Sequence, residues 1–283
     1  MHLTEIKFCS KIYSVHKNGG VMNINALIFL ILSAFFGSLT DRAAAQNVST
    51  QSKTMGIVSI TFDDARDSYG IELAIAKKNN IKGTLFVTTG LVGNQSYMSW
   101  KQIREFADAG WEIGAHTISH SDLTMLPDNL LQDELLNPIQ DIFLHVGRNP
   151  VSFATPYGEF DNRVISSVMK YYKNHSGAWI GNAGGGFNNI SGIDHYRIGR
   201  KTIMSTQSIQ EICSDVESAA KNGSWLVLMF HRIIPNDQKL PGDYDIFEQT
   251  FEGITSCIND FSVKGAIRVR TIAEALQSIP QKN

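Results

Sequence analysis

Two aspartates and two histidines are the residues of this chain whose types and spacing could support catalysis. Asp63 and Asp64 directly follow an apolar run with the pattern of a buried strand, and His116 and His120 lie four residues apart. The histidine spacing predicts that both imidazoles lie on one face of a helical turn, where they could bind one cation. Taken singly, each pair has a structural explanation: adjacent aspartates are frequently a helix N-cap, and a histidine pair can have a surface or capping role.

Other polar residues also follow apolar runs. His231 comes after the run at 225–230, and a Pro-Tyr-Gly sequence at 156–158 comes after the run at 151–154. Alone, His231 would be explained as a core histidine with satisfied hydrogen bonds. In a βα fold, however, the carboxyl ends of the parallel strands meet on one face, so all of these residues could lie together. If each of these residues had only a structural role of its own, their meeting on one face would require several separate coincidences.

The combination of residues has a chemical logic. Two histidines and one carboxylate form a three-ligand site with positions left open for water and substrate, which is typical of a catalytic metal. Such a cation lowers the pKa of its bound water toward about 7 and polarises a carbonyl oxygen. A second carboxylate can then accept the proton of the water, and a histidine across the site can protonate a leaving nitrogen.

Short strand-like runs alternate with helical patterns from residue 55 onward. Several are continuously apolar, as expected for parallel strands buried on both faces. The predicted strands cover 57–62, 84–88, 112–115, 151–154, 177–180, 196–198, 225–230 and 267–269. This alternation predicts one α/β domain, either a barrel or a doubly wound sheet.

The helices have recognisable signals. Two capping boxes predict where helices begin: Ser99 with Gln102, and Ser208 with Glu211. A third helix is predicted over residues 128–145, and Pro138 is expected to kink or break it.

Residues 1–45 are predicted to be a signal peptide. An apolar stretch at 26–36 precedes small residues, and cleavage is expected after the alanines at 43–45. A start at Met1 gives an extended, lysine-containing n-region, whereas a start at Met22 leaves no lysine before the apolar stretch. Residues 46–54 are predicted to be a disordered lead, and the protein is expected to be secreted or periplasmic. An uncleaved anchor and a buried core helix are the alternatives for the apolar stretch.

Charge and cysteine content limit the function further. The formal net charge of −2, without a basic run, argues against a nucleic-acid-binding protein. A monomer without an obligate protein partner is expected. Cys213 and Cys257 could pair in an oxidising compartment, although two cysteines on separate predicted helices are weak evidence for a bridge.

In order and spacing, these motifs resemble those of the polysaccharide deacetylase family, carbohydrate esterase family four. The resemblance rests on the aspartate pair, the histidine pair, the Pro-Tyr-Gly turn and the apolar strand before His231, supported by the sequences at 83–87 and 110–114. It implies a distorted (β/α) barrel with about seven parallel strands, fewer complete repeats than the eightfold barrel. Residues 55–283 would form the catalytic domain.

The resemblance also implies roles for single residues. Asp63 would be the general base and His231 the general acid. The backbone N–H of Tyr157 would help to stabilise the oxyanion, and Pro156 and Tyr157 would contact the substrate.

The implied metal ligands are Asp64, His116 and His120. They would hold one divalent cation, with zinc expected and cobalt or nickel as alternatives. The family often has Gly directly after the aspartate pair, where this chain has Ala65.

A second departure concerns the arginine that usually pairs with the base in this family. Its position in the third motif is occupied by Ala154, as in a sub-branch that has Phe-Ala-x-Pro-Tyr-Gly there. Arg197 and Arg200 are the candidates to replace it. Three residues apart on a strand, they would point to opposite faces, so only one can reach the site. Arg200 is expected because it lies further toward the carboxyl end.

The sequence therefore predicts an exported hydrolase that removes N-acetyl groups from an N-acetylglucosamine-containing polysaccharide or oligosaccharide. Alternatives on the same fold are hydrolysis of a small cyclic amide or ureide, O-deacetylation of xylan, and an inactive carbohydrate-binding relative. The predicted signal peptide argues against hydrolysis of a cyclic amide, because such substrates are usually metabolised in the cytoplasm. The presence of both aspartates and all three histidines argues against the inactive relative.

Overall fold

The centre of the computed structural model is a curved sheet of mostly parallel strands. The structure describes residues 54–68, 70–178 and 185–279, so the predicted signal peptide and nearly all of the predicted lead lie outside the described residues. The strands are β1 (Gly56–Phe62), β2 (Thr84–Val87), β3 (Glu112–Ala115), β4 (Ser152–Ala154), β5 (Asn174–Ser176), β6 (Phe187–Asn188), β7 (Lys201–Thr202), β8 (Trp225–Phe230), β9 (Arg232–Ile234), β10 (Asp245–Phe247) and β11 (Ile267–Val269).

Helices connect most of the strands and cover the outside of the sheet. They are α1 (Ile71–Lys78), α2 (Trp100–Asp108), α3 (Asp128–Val146), α4 (Asn162–Val168), α5 (Ile209–Asn222), α6 (Glu248–Val263) and α7 (Ile272–Ser278). The predicted capping boxes are present at the starts of α2 and α5. The sequence predicts a kink or a break at Pro138. The helix α3 continues through that residue without a break.

The strand order is β5-β4-β3-β2-β1-β8, with every neighbouring pair parallel. β11 pairs with the first half of β1, and β7 pairs in parallel with β8. At the other edge, Ser176 of β5 forms a parallel bridge to Ile198. The segment from Ile198 to Thr202 therefore pairs with both edges of the parallel sheet. This confirms the distorted barrel and excludes the doubly wound alternative.

Two strand predictions in this region are wrong. β5 lies at 174–176 instead of 177–180, because its buried residues are polar and lack the apolar signal; residues 179 and 180 lie outside the described residues. The strand predicted over 196–198 is a turn with a single bridge at Ile198. The Asp194 side chain accepts a hydrogen bond from the Tyr196 N–H, and its carbonyl accepts one from the Arg197 N–H.

The alternation of side chains along β1 and β8 directs the residues that follow. Every second residue of β1 packs against the helices in the larger apolar cluster: Val58, Ile60 and Phe62. The residues between them face the inside of the curved sheet, and Asp63 continues that inner series. In β8, Trp225 and Val227 belong to the inner cluster, and His231 follows with the same spacing. Asp63 and His231 are thus aimed at a common interior.

A disulfide joins the helices α5 and α6. Cys213 and Cys257 are bonded with a Cα–Cα distance of 6.1 Å, within the usual range for a disulfide. This resolves the pairing that the sequence left open. Among the residues that the structure describes, none of the helices has both the length and the apolar character needed to cross a membrane.

Candidate metal centre and active site

A cavity of about 250 Å³ lies at the carboxyl ends of the parallel strands. It is lined by these residues that were singled out from the sequence: Asp63, Asp64, His116, His120, Tyr157, Arg200 and His231. Pro156 does not line the cavity, because it is buried at the start of the short 3-10 turn Pro156–Gly158. The structure therefore brings together every residue expected at the site except this proline.

Asp64, His116 and His120 form a compact ligand set. Oδ1 of Asp64 lies 3.1 Å from Nε2 of His120 and 3.5 Å from Nε2 of His116. One ligand atom from each of the three residues lies within 4.8 Å of the others. One cation placed between them would contact all three.

The histidines do not lie on a helical turn, so that prediction is wrong. β3 ends at Ala115, and the chain from His116 to His120 is an irregular loop. Thr117 and His120 have positive φ angles of 68° and 60°. These two left-handed residues turn the loop so that the imidazole rings approach to 5.1 Å between centroids.

Two observations show that the ligand set fits a metal. Oδ1 of Asp64 is buried and accepts no hydrogen bond from any residue that the structure describes. The Nδ1 of His116 lies 2.8 Å from the carbonyl oxygen of Ala154. A proton on Nδ1 satisfies that carbonyl and leaves the lone pair of Nε2 free for a cation, the usual arrangement of a metal-binding histidine.

Electrostatics also favours a carboxylate at this position. Burial alone would raise the pKa of the Asp64 carboxyl, but the neighbouring imidazoles of His116 and His120 lower it below its usual range. Asp64 is therefore ionised at neutral pH and available as a ligand.

Asp63 is held by a buried arginine. Nη1 and Nη2 of Arg200 donate to Oδ1 and Oδ2 of Asp63 at 2.6 and 2.8 Å, a bidentate pair. Nε of Arg200 donates to the carbonyl of Gly177 at 3.1 Å, and its side chain is only 1% exposed. Burial raises the pKa of Asp63, but the Arg200 guanidinium, together with the nearby His116 and His231, holds the pKa below its usual value.

The segment that joins the two sheet edges explains why Arg200 reaches the site. Arg200 lies in that segment, between the bridge at Ile198 and the strand β7. Arg197 lies before the bridge and is partly exposed, where it contacts Asp194 and Asn162. The sequence expectation that Arg200 rather than Arg197 meets Asp63 agrees with this geometry.

His231 directly follows β8, the strand that pairs with β1, and lies beside a tyrosine that the sequence did not single out. The rings of His231 and Tyr244 are 5.2 Å apart between centroids, and Tyr244 is 52% exposed. Burial lowers the pKa of His231, and the nearby carboxylates offset only part of this. Nδ1 of His231 is buried and has no hydrogen-bond partner within the described part of the chain.

Tyr244 is brought to the cavity by a second, two-stranded sheet. β9 begins directly after His231 and pairs in parallel with β10. Arg232 and Asp245 face each other in that register, with Nε to Oδ1 at 3.2 Å and Nη2 to Oδ2 at 3.3 Å. No sequence signal identifies this contact. Met229, which also lines the cavity, could have been found because it precedes His231 by two residues on the same strand face.

Left-handed backbone is concentrated at the site. Non-glycine residues with positive φ here are Asp64 (71°), Ala65 (55°), Thr117 (68°), His120 (60°) and Tyr157 (58°). Such conformations cost free energy and persist where the surrounding structure imposes them, most often at functional sites. The φ of Ala65 also explains why glycine is frequent at this position in the family that the motifs resemble.

Comparison with known proteins supports the resemblance seen in the motifs. The family model described as polysaccharide deacetylase matches residues 50–173, a little under half of the chain. The match supports the polysaccharide deacetylase family for this part of the chain. The matched region includes the aspartate pair, the histidine pair and the Pro-Tyr-Gly turn, and it ends before Arg200 and His231.

Among known sequences, this chain is similar to the chitin deacetylase of Arthroderma benhamiae, with 33% identity over 45% of this chain and 34% of the relative. It is 29% identical to the peptidoglycan-N-acetylmuramic acid deacetylase of Bacillus subtilis, over 43% of this chain and 45% of that protein. The chain thus aligns with less than half of the length of each relative.

A solved structure supports the fold over a longer part of the chain. The family 4 acetyl xylan esterase from Clostridium thermocellum, determined in complex with a cobalt ion, superimposes with a TM-score of 0.55. The match covers 79% of this chain and 93% of that protein at 19% identity. At this identity the likeness concerns the barrel alone.

Proposed function

We propose that this protein is an exported, metal-dependent hydrolase that removes N-acetyl groups from an N-acetylglucosamine-containing polysaccharide or oligosaccharide. The observation that carries the proposal is the cluster of Asp64, His116 and His120, which lines one cavity together with Asp63 and His231. A metal site with three protein ligands, together with a separate general base and general acid, is the arrangement that a metal-dependent hydrolase requires. The Cys213–Cys257 disulfide supports export, since such bonds persist in oxidising compartments.

Asp64, His116 and His120 would hold the cation, with zinc expected and cobalt or nickel as alternatives. When bound, a divalent cation makes water more acidic and polarises a carbonyl oxygen. The unpartnered Oδ1 of Asp64 and the hydrogen bond from His116 to Ala154 support this assignment.

Asp63 would accept the proton of the attacking water. Arg200 keeps Asp63 ionised and occupies one direction at each carboxylate oxygen, which leaves a second lone pair for the water. Arg200 would thus be a positioning residue, since it acts through Asp63.

His231 would protonate the leaving nitrogen, and a lowered pKa makes its imidazolium a stronger acid. The backbone N–H of Tyr157 would donate to the oxyanion. Since the leaving nitrogen is attached to the sugar, the sugar ring must lie on the His231 side of the cavity. The half-exposed ring of Tyr244 offers a surface for it there, while Ala178 and Met229 offer apolar contact for the acetyl methyl group.

The test measures acetate release by purified enzyme from an N-acetylglucosamine oligomer and from acetylated xylan, and ring opening of a cyclic ureide, each with and without chelator. We expect chelator-sensitive release from the oligomer. Release from xylan alone would make the enzyme an O-deacetylase, and ring opening of the ureide alone would assign it to small cyclic amides. No turnover of any substrate with metal present would contradict the proposal.

A further inference from the structure

The loop that carries the two histidines is held by a residue from a different element. Glu134 lies in the middle of α3, and its carboxylate accepts three hydrogen bonds from the loop. Oε2 accepts the backbone N–H groups of Ile118 at 2.7 Å and Ser119 at 3.0 Å, and Oε1 accepts the Ser119 hydroxyl at 2.5 Å. Hydrogen bonds to an ionised acceptor are the stronger kind.

The loop needs such support because its backbone is strained. Thr117 and His120 both have positive φ, a conformation that β-branched and bulky residues disfavour. The carbonyls of Thr117 and Ile118 are held by the N–H groups of Thr89 and Gly90, both at 3.0 Å. Glu134 completes these contacts, because its carboxylate accepts hydrogen bonds from N–H groups of the same loop.

We propose that Glu134 is a positioning residue of the metal centre, which keeps the loop between His116 and His120 in the shape that directs both imidazoles at one cation. The inference rests on the metal site of the proposed function and adds a residue that touches neither the cation nor the substrate. Release of the two N–H groups would let the loop relax toward unstrained backbone and separate the imidazoles. Side chains that orient metal ligands typically change metal affinity by about 10- to 100-fold when they are removed.

The test compares metal affinity in the full chain carrying Glu134→Ala, Glu134→Gln or Asp133→Asn. The dissociation constant for zinc is measured by competition with a chromogenic chelator, and the visible spectrum is recorded for the cobalt-loaded proteins. Glu134→Ala should weaken zinc binding by roughly 10- to 100-fold and alter the cobalt spectrum. Glu134→Gln should lose less, because its amide oxygen can still accept the two N–H groups while it no longer bears the charge.

Asp133→Asn is the matched control, because it removes one negative charge from the adjacent, exposed position of α3. It should leave the dissociation constant within twofold of the wild-type value, about the size of a screened surface charge. Unfolding midpoints of the metal-free proteins show whether the Ala variant is folded. If the Ala variant is not folded, the zinc affinity and the cobalt spectrum of Glu134→Gln test the inference instead.

Unchanged zinc affinity in the folded Glu134 variants would overturn the inference, and so would an equal loss in Asp133→Asn, which would indicate charge alone. A wild-type protein that binds no divalent cation would instead contradict the proposed function itself.

Discussion

Asp63 and Glu72 are both buried carboxyl groups near the start of the domain, but their surroundings shift their pKa values in opposite directions. Asp63 is 3% exposed and Glu72 is fully buried. Asp63 forms a bidentate ion pair with Arg200, whereas no cationic side chain among the described residues opposes the burial of Glu72. Burial raises the pKa of Glu72 to about 8, and the same effect at Asp63 is overcome by the arginine with help from His116 and His231. The partner, rather than the depth of burial, decides which group is ionised at neutral pH.

Removal of the ionised group at the site should give the largest effect. Asp63→Asn deletes the proposed base and should lower the deacetylation rate by about 10²- to 10⁴-fold. The metal content should stay near the wild-type value, because Asp63 is not among the proposed ligands. Asp64→Asn is the paired control and should lose the metal. If Asp63→Asn loses the metal while Asp64→Asn keeps it, the two aspartates have exchanged roles.

The contrasting residue, Glu72, should affect stability instead of activity. Its folded-state pKa of about 8 lies above the ordinary value of 4.5, so folding is penalised as pH rises from 4.5 to 8, and the penalty is constant above that. Glu72→Gln cannot ionise and should raise the free energy of unfolding by about 3 kcal/mol at pH 7. Near pH 4 it should have little effect.

Denaturant unfolding at several pH values measures this difference, with the exposed Glu105→Gln as the control. An equal gain at pH 4 and pH 8 would show that Glu72 does not titrate as proposed. A loss of deacetylase activity in Glu72→Gln would also break the contrast with Asp63.

The arginine itself should produce a smaller but more specific change. Without Arg200, the main group that opposes the effect of burial is lost and the pKa of Asp63 rises. Arg200→Ala should move the acidic limb of the rate–pH profile up by about 1–3 pH units and lower the plateau, with metal content unchanged. Arg197→Ala should do neither. A profile that stays in place in Arg200→Ala would mean that something other than this guanidinium keeps Asp63 ionised.

An uncharged contact should have the smallest effect. Tyr244→Ala removes the ring beside His231 and should raise KM for an N-acetylglucosamine oligomer by roughly three- to tenfold, the usual size of an aromatic contact. The acidic limb should not move, because no charge changes. Phe143→Ala, at an exposed aromatic residue of α3, is the control and should leave KM unchanged. A fall in kcat with KM unchanged would mean that Tyr244 orients His231 instead of the sugar.

The sequence predicts the inward direction of Asp63 and His231, because both extend the two-residue alternation of an apolar strand. It also leads to Arg200, although the strand assumed for that step is a turn followed by a short pairing segment. The polar strand β5 is missed, because its buried residues are polar and Asn174 and His175 find partners that only the tertiary structure supplies. Asn174, for example, donates to the Ser152 hydroxyl at 2.9 Å.

The shape of the histidine loop could not be predicted for a related reason. Its positive φ angles fall on Thr117 and His120, and the β-branched Thr117 in particular disfavours left-handed backbone. The hydrogen bonds that we propose to fix this shape are accepted by Glu134, which is remote in sequence from the first histidine. Tyr244 is equally hidden, because its position depends on the register between β9 and β10.

If one cation on Asp64, His116 and His120 drives the reaction, as we propose, activity must depend on metal that can be removed and added back. Chelator-treated enzyme is titrated with zinc, and acetate release from an N-acetylglucosamine oligomer is measured at each step. We expect activity to be lost on metal removal and to return to a plateau at about one equivalent of zinc per chain. Asp64→Asn should show no recovery at that stoichiometry. Full acetate release by the metal-free enzyme, or equal recovery in Asp64→Asn, would contradict the proposal.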